Sequence, residues 1–223
     1  MAAKLWWIIQ KDLASEWRAR HAWPAMLVLG TLVVLLLSLQ MDLLRQHKSL
    51  LAGSLLWLGI FFAGIFALDR SFAAEREAGC WDGLKLYPVS PSVVYLGKLA
   101  VNFIALCTLE CVLVPLFVAL ADVPLLHDPG ALLLVLGLGN LGLAAVGTLL
   151  SALAAGIGRS GNLTVLLALP MCLPVMLAAA ESTRLLVTGE FGPGWWRWIG
   201  FLAGFAVIFA TAGTVLFEFV VEE

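Results

Sequence analysis

Residues 24–41 decide the fold of this chain, and they read PAMLVLGTLVVLLLSLQM. The stretch contains no charged residue over 18 positions. A membrane-spanning helix needs about 20 mostly apolar residues, and a helix that is apolar on every side has no polar face to present to water. We therefore interpret residues 24–41 as a transmembrane helix, which Pro24 suits as a starting residue because its fixed φ angle is helical.

Five further stretches of the chain have the same apolar character. The stretches at 94–121 and 131–157 are longer than a perpendicular crossing requires, so these helices should tilt or project beyond the hydrocarbon. Together the six stretches predict an all-α, polytopic membrane protein that forms a single transmembrane domain over residues 1–223. The remaining predicted spans are 50–68, 163–180 and 198–217.

The overall composition supports the same fold class. Of the 223 residues, 62% are hydrophobic and 13% are charged, and the mean hydropathy is +1.00. Soluble domains are about 45–50% apolar and about 25% charged, so a soluble globular domain and a disordered chain are both excluded. A net charge of −2 without a basic stripe argues against nucleic-acid binding.

The positions of lysine and arginine predict how the bundle is oriented. If the N-terminus is inside, nine of the 13 basic residues lie in inner segments and four lie in outer loops. This bias follows the positive-inside rule, so both termini should face the cytoplasm. Ahead of the first span, residues 3–20 place apolar side chains at helical spacing and charges on other faces, which is typical of an amphipathic helix in the membrane interface.

The segment 69–91, after the second span, is the longest polar stretch of the chain. It starts with strong helix formers, can end a helix at Gly79, and is stopped by Pro88 and Pro91. A charged helical hairpin at this place could contact a soluble partner. An ordinary solvated loop explains the composition equally well.

Two polar residues fall inside the third predicted span, Asn102 and Glu110. A carboxyl group at the centre of a bilayer costs about 3 kcal/mol on insertion scales, so such a residue usually faces a cavity or a polar partner. Cys107 and Cys111 stand one helical turn apart in the same span. Two thiols without a nearby histidine make a poor metal site, and we interpret them as structural cysteines.

Three prolines inside the predicted spans predict kinks, since each removes a backbone donor. Pro115 lies in the third span, and Pro170 and Pro174 lie four residues apart in the fifth. The pair indicates a bend or a break near the middle of the membrane. Such an element is either a static kink or a moving, cavity-lining segment.

Established catalytic motifs are missing from the sequence, which has no GxSxG, no HExxH and no P-loop. We therefore expect no catalytic residue, no metal site and no directly bound cofactor. Since the chain lacks a P-loop, any ATP that drives it must be hydrolysed on a partner chain. His47 and His127 lie on predicted outer loops, where solvated side chains are far more common than haem ligands.

A set of short motifs, in order along the chain, resembles the haem exporter protein B (CcmB-type) family, the ABC permease of cytochrome c maturation. In that family an (E/D)R-x-F element precedes an L-x-P-x-x-P run and a lysine that enters the third span, and a second signature follows the fourth span. The matching residues here are LDRSF at 68–72, GLKLYPVSP at 83–91, Gly97-Lys98, GRSG at 158–161, Leu169-Pro170 and Pro174-Val175.

The resemblance implies an exporter-type ABC permease in the bacterial inner membrane. Two copies would pair with two cytoplasmic ATPase subunits, a haem-handling membrane subunit and a small accessory membrane protein. ATP hydrolysis would release a haem-loaded periplasmic chaperone, with haem handled by the partner subunits and ATP bound by the ATPase. The segment 69–79 would be the coupling element, with polar contacts from Asp69, Arg70, Glu75, Arg76 and Glu77 and apolar contacts from Phe72 and Trp81.

Other functions also fit parts of the sequence. A related exporter could carry a lipid, a polysaccharide or a drug. A membrane-embedded enzyme could use Glu110 as an acid or a base, and a proton-driven secondary transporter could use the same residue. The last should show inverted repeats, but Pro170 and Pro174 have no counterpart in the first half of the chain.

Overall fold

The computed structural model describes residues 2–19, 22–43, 47–69, 71–72, 89–156 and 162–222. Within these ranges the chain is helical, as predicted, and α2 to α7 are long and apolar enough to cross a membrane. The all-α fold with six membrane helices is therefore confirmed. The helices are α1 (Ala2–Ala19), α2 (Ala22–Leu43), α3 (Lys48–Asp69), α4 (Pro91–Ala121), α5 (Pro129–Gly156), α6 (Asn162–Thr188) and α7 (Pro193–Glu222).

The helices are longer than the predicted spans, and α6 differs most. Hydropathy places the end of this helix at residue 180, because Glu181 and Arg184 follow, whereas the structure continues it to Thr188. The two charges neutralise each other, with the Arg184 guanidinium 2.6 Å from the Glu181 carboxylate. The helix ends at Gly189, whose φ of 74° is readily adopted by glycine.

A short turn joins α4 to α5 and makes them an antiparallel hairpin. Asp122 ends α4 in the left-handed conformation, at a φ of 52°. The Lys48 ammonium donates to the carbonyl of Ala121 at 3.0 Å, which satisfies one of the free carbonyls at that helix end. Asp128 caps α5, since its carboxylate accepts the N–H of Ala131 at 3.0 Å.

Helix α5 lies at the centre of the bundle. In its apolar span 72% of the residues are buried inside the chain, against 28% for α2 and 22% for α7. Glycines allow its neighbours to approach closely: Gly139 of α5 faces the ring of Trp57 on α3, and Gly53 of α3 faces the backbone carbonyl of Ala180 on α6. The indole of Trp57 also donates to Thr183 of α6 at 2.9 Å, which ties α3 to α6.

The three predicted kink residues do not interrupt their helices. Helix α4 is continuous through Pro115, and α6 is continuous through Pro170 and Pro174. All three side chains are exposed on the outside of the bundle. The structure therefore contains no break at these prolines, and the proline side chains face away from the bundle interior. A cavity-lining role predicted from the paired prolines is thus not what their positions provide.

The contact between α3 and α6 leads to a prediction. In Gly53→Ala the new methyl group would meet the carbonyl of Ala180, so α3 and α6 must separate. We expect a loss of about 1–3 kcal/mol in stability, as for other overpacked sites, seen as a lower melting temperature in detergent. Gly137→Ala is the matched control, since a methyl group there meets nothing within 4 Å. Equal melting temperatures for the two variants would contradict this packing.

Candidate functional site

A polar junction lies at the end of the bundle where α1, α4, α5 and α7 meet residues 71–72. We call it the α1 junction. Residues 71–72 are the described start of the charged 69–91 segment. The α1 junction consists of Asp12, Ser71, Phe72, Tyr95, Lys98, Asn102, Thr148 and Phe217.

A buried ion pair fastens α1 to α4. The ammonium of Lys98 lies 3.1 Å from the carboxylate of Asp12, and each side chain is 7% exposed. Gly97 makes this approach possible, because a methyl group in its place would come within 2.7 Å of Ile8 on α1. The Gly97-Lys98 motif therefore combines room for the interfacial helix with the charge that holds it.

Phe72 is enclosed by the same group of helices. Its ring is 1% exposed and lies 5.2 Å below the Lys98 ammonium, within the range of a cation–π contact. The ring of Phe217 on α7 packs against it at 5.4 Å. Tyr95 extends the aromatic group, with its ring 6.0 Å from Phe217 and its hydroxyl donating to the carbonyl of Ala145 on α5.

The amide of Asn102 connects the charged segment to the core. Its nitrogen donates to the hydroxyl of Ser71 at 3.0 Å and to that of Thr148 on α5 at 2.8 Å. Thr148 in turn donates to the carbonyl of Ala144 in its own helix. Asn102 was predicted to need a polar partner within the membrane bundle, and the structure supplies two.

The residues predicted to contact an ATPase divide into two groups. Phe72 lies inside the bundle, so its ring is not available for the contact with a partner that was predicted from its position. Asp69 ends α3, but its side chain lies outside the described part of the structure. Arg70, Glu75, Arg76, Glu77 and Trp81 also lie outside the described residues.

Glu110 has a partner on the neighbouring helix of the hairpin. The side-chain nitrogen of Asn140 donates to its carboxylate at 2.7 Å and lies 3.7 Å from the sulfur of Cys107. An amide is neither a base nor a nucleophile, so this contact does not provide the pair of groups that covalent or acid–base catalysis requires. Among the described residues, no cluster of three histidine, cysteine or acidic side chains could hold a metal ion.

Comparison with known proteins identifies the family. The family model described as CcmB protein matches residues 3–221. The chain belongs to the CcmB family. Heme exporter protein B of Rhodobacter capsulatus is 31% identical over 79% of this chain and 81% of its own length. The protein of the same name from Pseudomonas aeruginosa is 27% identical over 87% of this chain and 89% of its own length. The resemblance inferred from the motifs is thus confirmed.

Three residues of the CcmB-family chain that complete these polar contacts were not predicted from sequence. Asp12 belongs to an amphipathic helix in which charges are expected to face water, and Thr148 and Asn140 lie in an apolar run. A signal for the latter two exists in the hairpin register. Glu110 lies 11 residues before the end of α4 and Asn140 lies 11 residues after the start of α5, and the corresponding offset for Asn102 and Thr148 is 19.

The ion pair of the α1 junction leads to a second prediction. Asp12→Asn leaves the Lys98 ammonium in the bundle without its carboxylate, which should cost about 3–5 kcal/mol and lower the melting temperature in detergent. Lys11→Met is the control, because the Lys11 ammonium lies 3.2 Å from the same carboxylate but its side chain is 63% exposed. The exchange Asp12→Lys with Lys98→Asp should recover part of the loss. Similar melting temperatures for Asp12→Asn and Lys11→Met would refute the assignment.

Proposed function

We propose that this chain is the membrane permease subunit of an ABC complex for haem export in c-type cytochrome biogenesis. A separate cytoplasmic ATPase subunit hydrolyses ATP, and the 69–91 segment transmits the resulting motion to the membrane helices. The chain itself carries no catalytic residue and binds no cofactor directly. Its cargo step is the release of a haem-loaded chaperone into the periplasm.

The observation that supports this proposal most strongly is how the 69–91 segment is attached. Its described start is held by a hydrogen bond from Asn102 to Ser71 and by burial of Phe72 between Lys98 and Phe217. Its end, Val89, packs against the same aromatic group before α4 begins. A force applied to the exposed charges of the segment would therefore reach α1, α4, α5 and α7 together.

The proposed placement puts the α1 junction at the cytoplasmic face of the inner membrane, with both termini on that side. The excess of lysine and arginine in the segments at this end supports it. The proposed complex contains a second copy of this chain, the ATPase, a haem-handling membrane subunit and a small accessory membrane protein. The names of the relatives, heme exporter protein B, support haem as the cargo of the pathway.

The charges of the 69–91 segment lead to a third prediction. Glu75→Lys with Glu77→Lys reverses two charges of the proposed coupling element, so the ATPase should no longer co-purify in mild detergent and assembly of c-type cytochromes should stop. The variant should still insert in the membrane, since the substituted positions lie outside the predicted spans.

Glu190→Lys is the control for this experiment, because Glu190 is an exposed acidic residue in the turn between α6 and α7. This variant should retain the ATPase and support cytochrome assembly. Normal recovery of the ATPase with the double variant would overturn the proposed coupling role. Normal c-type cytochromes in a strain lacking the gene would instead leave the coupling role standing and point to a lipid, polysaccharide or drug as cargo.

Phe72 leads to a fourth prediction, in which binding and transmission separate. Phe72→Ala removes the ring that joins the segment to Lys98 and Phe217 but leaves the charged residues in place. We expect the ATPase to co-purify at the normal level while the yield of c-type cytochromes falls at least tenfold. Phe219→Ala, on the exposed side of α7 at the same end of the bundle, should change neither. Loss of the ATPase from Phe72→Ala would show that the ring contacts the partner instead.

A further inference from the structure

The pair formed by Glu110 and Asn140 has an imbalance of donors and acceptors. One oxygen of Glu110, Oε2, accepts the hydrogen bond from Asn140. Among the residues that the structure describes, no group donates to the other oxygen, Oε1, or to the Asn140 side-chain oxygen Oδ1, although both atoms are buried. Both N–H groups of the Asn140 amide are used, one towards Glu110 and one towards the Cys107 sulfur. The pair thus contains two buried acceptors and has no donor left for them.

The position of the pair makes this imbalance costly. Glu110 is 5% exposed and Asn140 is fully buried. Each lies 11 residues from the turn between α4 and α5, which corresponds to about 16 Å along a helix axis. This depth is near the middle of a hydrocarbon layer that is about 30 Å thick. An ionised carboxylate there would be a buried charge facing a second acceptor, which is the least favourable arrangement of these atoms.

We propose that Glu110 and Asn140 form a proton-binding site, in which a single proton on Glu110 is shared as a hydrogen bond with Asn140. A neutral carboxylic acid and an amide make a closed ring of two hydrogen bonds: the amide N–H donates to one acid oxygen, and the acid O–H donates to the amide oxygen. One proton therefore satisfies both Oε1 and Oδ1. The need for it does not depend on how the amide is assigned, because exchanging the nitrogen and oxygen of Asn140 only moves the proton to the other acid oxygen.

This site joins the two helices of the hairpin by a contact that exists in full only with the proton bound. Separation of α4 from α5 would expose the acid to other partners and favour loss of the proton, and loss of the proton would favour separation, because the two equilibria are reciprocal. The ligand is a proton, delivered by any water that reaches the pair. Nothing in this inference requires the proposed partner ATPase or the haem cargo.

The test is infrared difference spectroscopy on the purified full-length chain in detergent at neutral pH. Wild type minus Glu110→Gln should show one carbonyl band of a protonated carboxylic acid, which is separate from carboxylate and amide bands and shifts in heavy water. Glutamine is the matched replacement, since its amide and that of Asn140 form the same two-bond ring without a titrating proton. A difference spectrum that shows a carboxylate band and no acid band would overturn the proposal.

A second variant keeps the proposal testable if Glu110→Gln does not fold. The exchange Glu110→Gln with Asn140→Asp keeps one long and one short side chain and reverses only which of them is the acid. It should retain the acid band and the wild-type melting temperature. Asn140→Leu should lower the melting temperature by roughly 5 °C, the shift expected for an unsatisfied buried group in a chain of this size. An unchanged melting temperature in Asn140→Leu, or absence of the acid band from the exchanged pair, would contradict the ring.

Discussion

Polar side chains inside this bundle must find their partners on a neighbouring helix, because the hydrocarbon around it offers no water to solvate them. The rest of the structure depends on how α4 meets that constraint. Asn102 binds Thr148 and Glu110 binds Asn140, and both partners belong to α5. The two contacts fix the register of the α4–α5 hairpin, since a shift of one helix along the other would leave two polar pairs unmatched. Around this hairpin the remaining contacts are apolar and close, as between Trp57 and Gly139.

The central position of α5 follows from the same requirement. A helix that supplies Asn140 and Thr148 to α4 must lie against it, and glycine at position 139 then allows the large ring of Trp57 to reach the same surface from α3. The peripheral helices α2 and α7 carry few such groups within the membrane and present large apolar residues outward, including Leu36, Ile208 and Phe219. Burial in the bundle is thus distributed according to polarity as well as hydropathy.

The sequence predicted the number and type of the helices because each span is an apolar run long enough to be read without knowledge of its neighbours. The motifs predicted the family for the same reason, since they are local. Two kinds of feature were not predictable in this way. The inward direction of Phe72 is hidden because the ring stands among charged neighbours in a segment that appears exposed as a whole. The burial of Asp12 depends on Lys98, 86 residues later in the chain. The end of α6 was placed too early because a Glu–Arg pair three residues apart counts as two charges in a hydropathy window but as one neutral unit in a helix.

The partners of Asn102 and Glu110 belong to an intermediate class, because their positions follow from the turn. In an antiparallel hairpin, residues at equal distances from the loop come to equal depth, and a lone asparagine or threonine in an apolar run has reason to lie there only if it meets another polar group. The consequence for the proposed coupling concerns Asn102. Its amide has two N–H groups, one for Ser71 at the start of the charged segment and one for Thr148 in the central helix. Displacement of Ser71 therefore acts on the same amide that fixes the hairpin register, and Glu110 lies eight residues further along the same helix, about 12 Å away. A continuous helix between these two points transmits such a displacement without any intervening hinge.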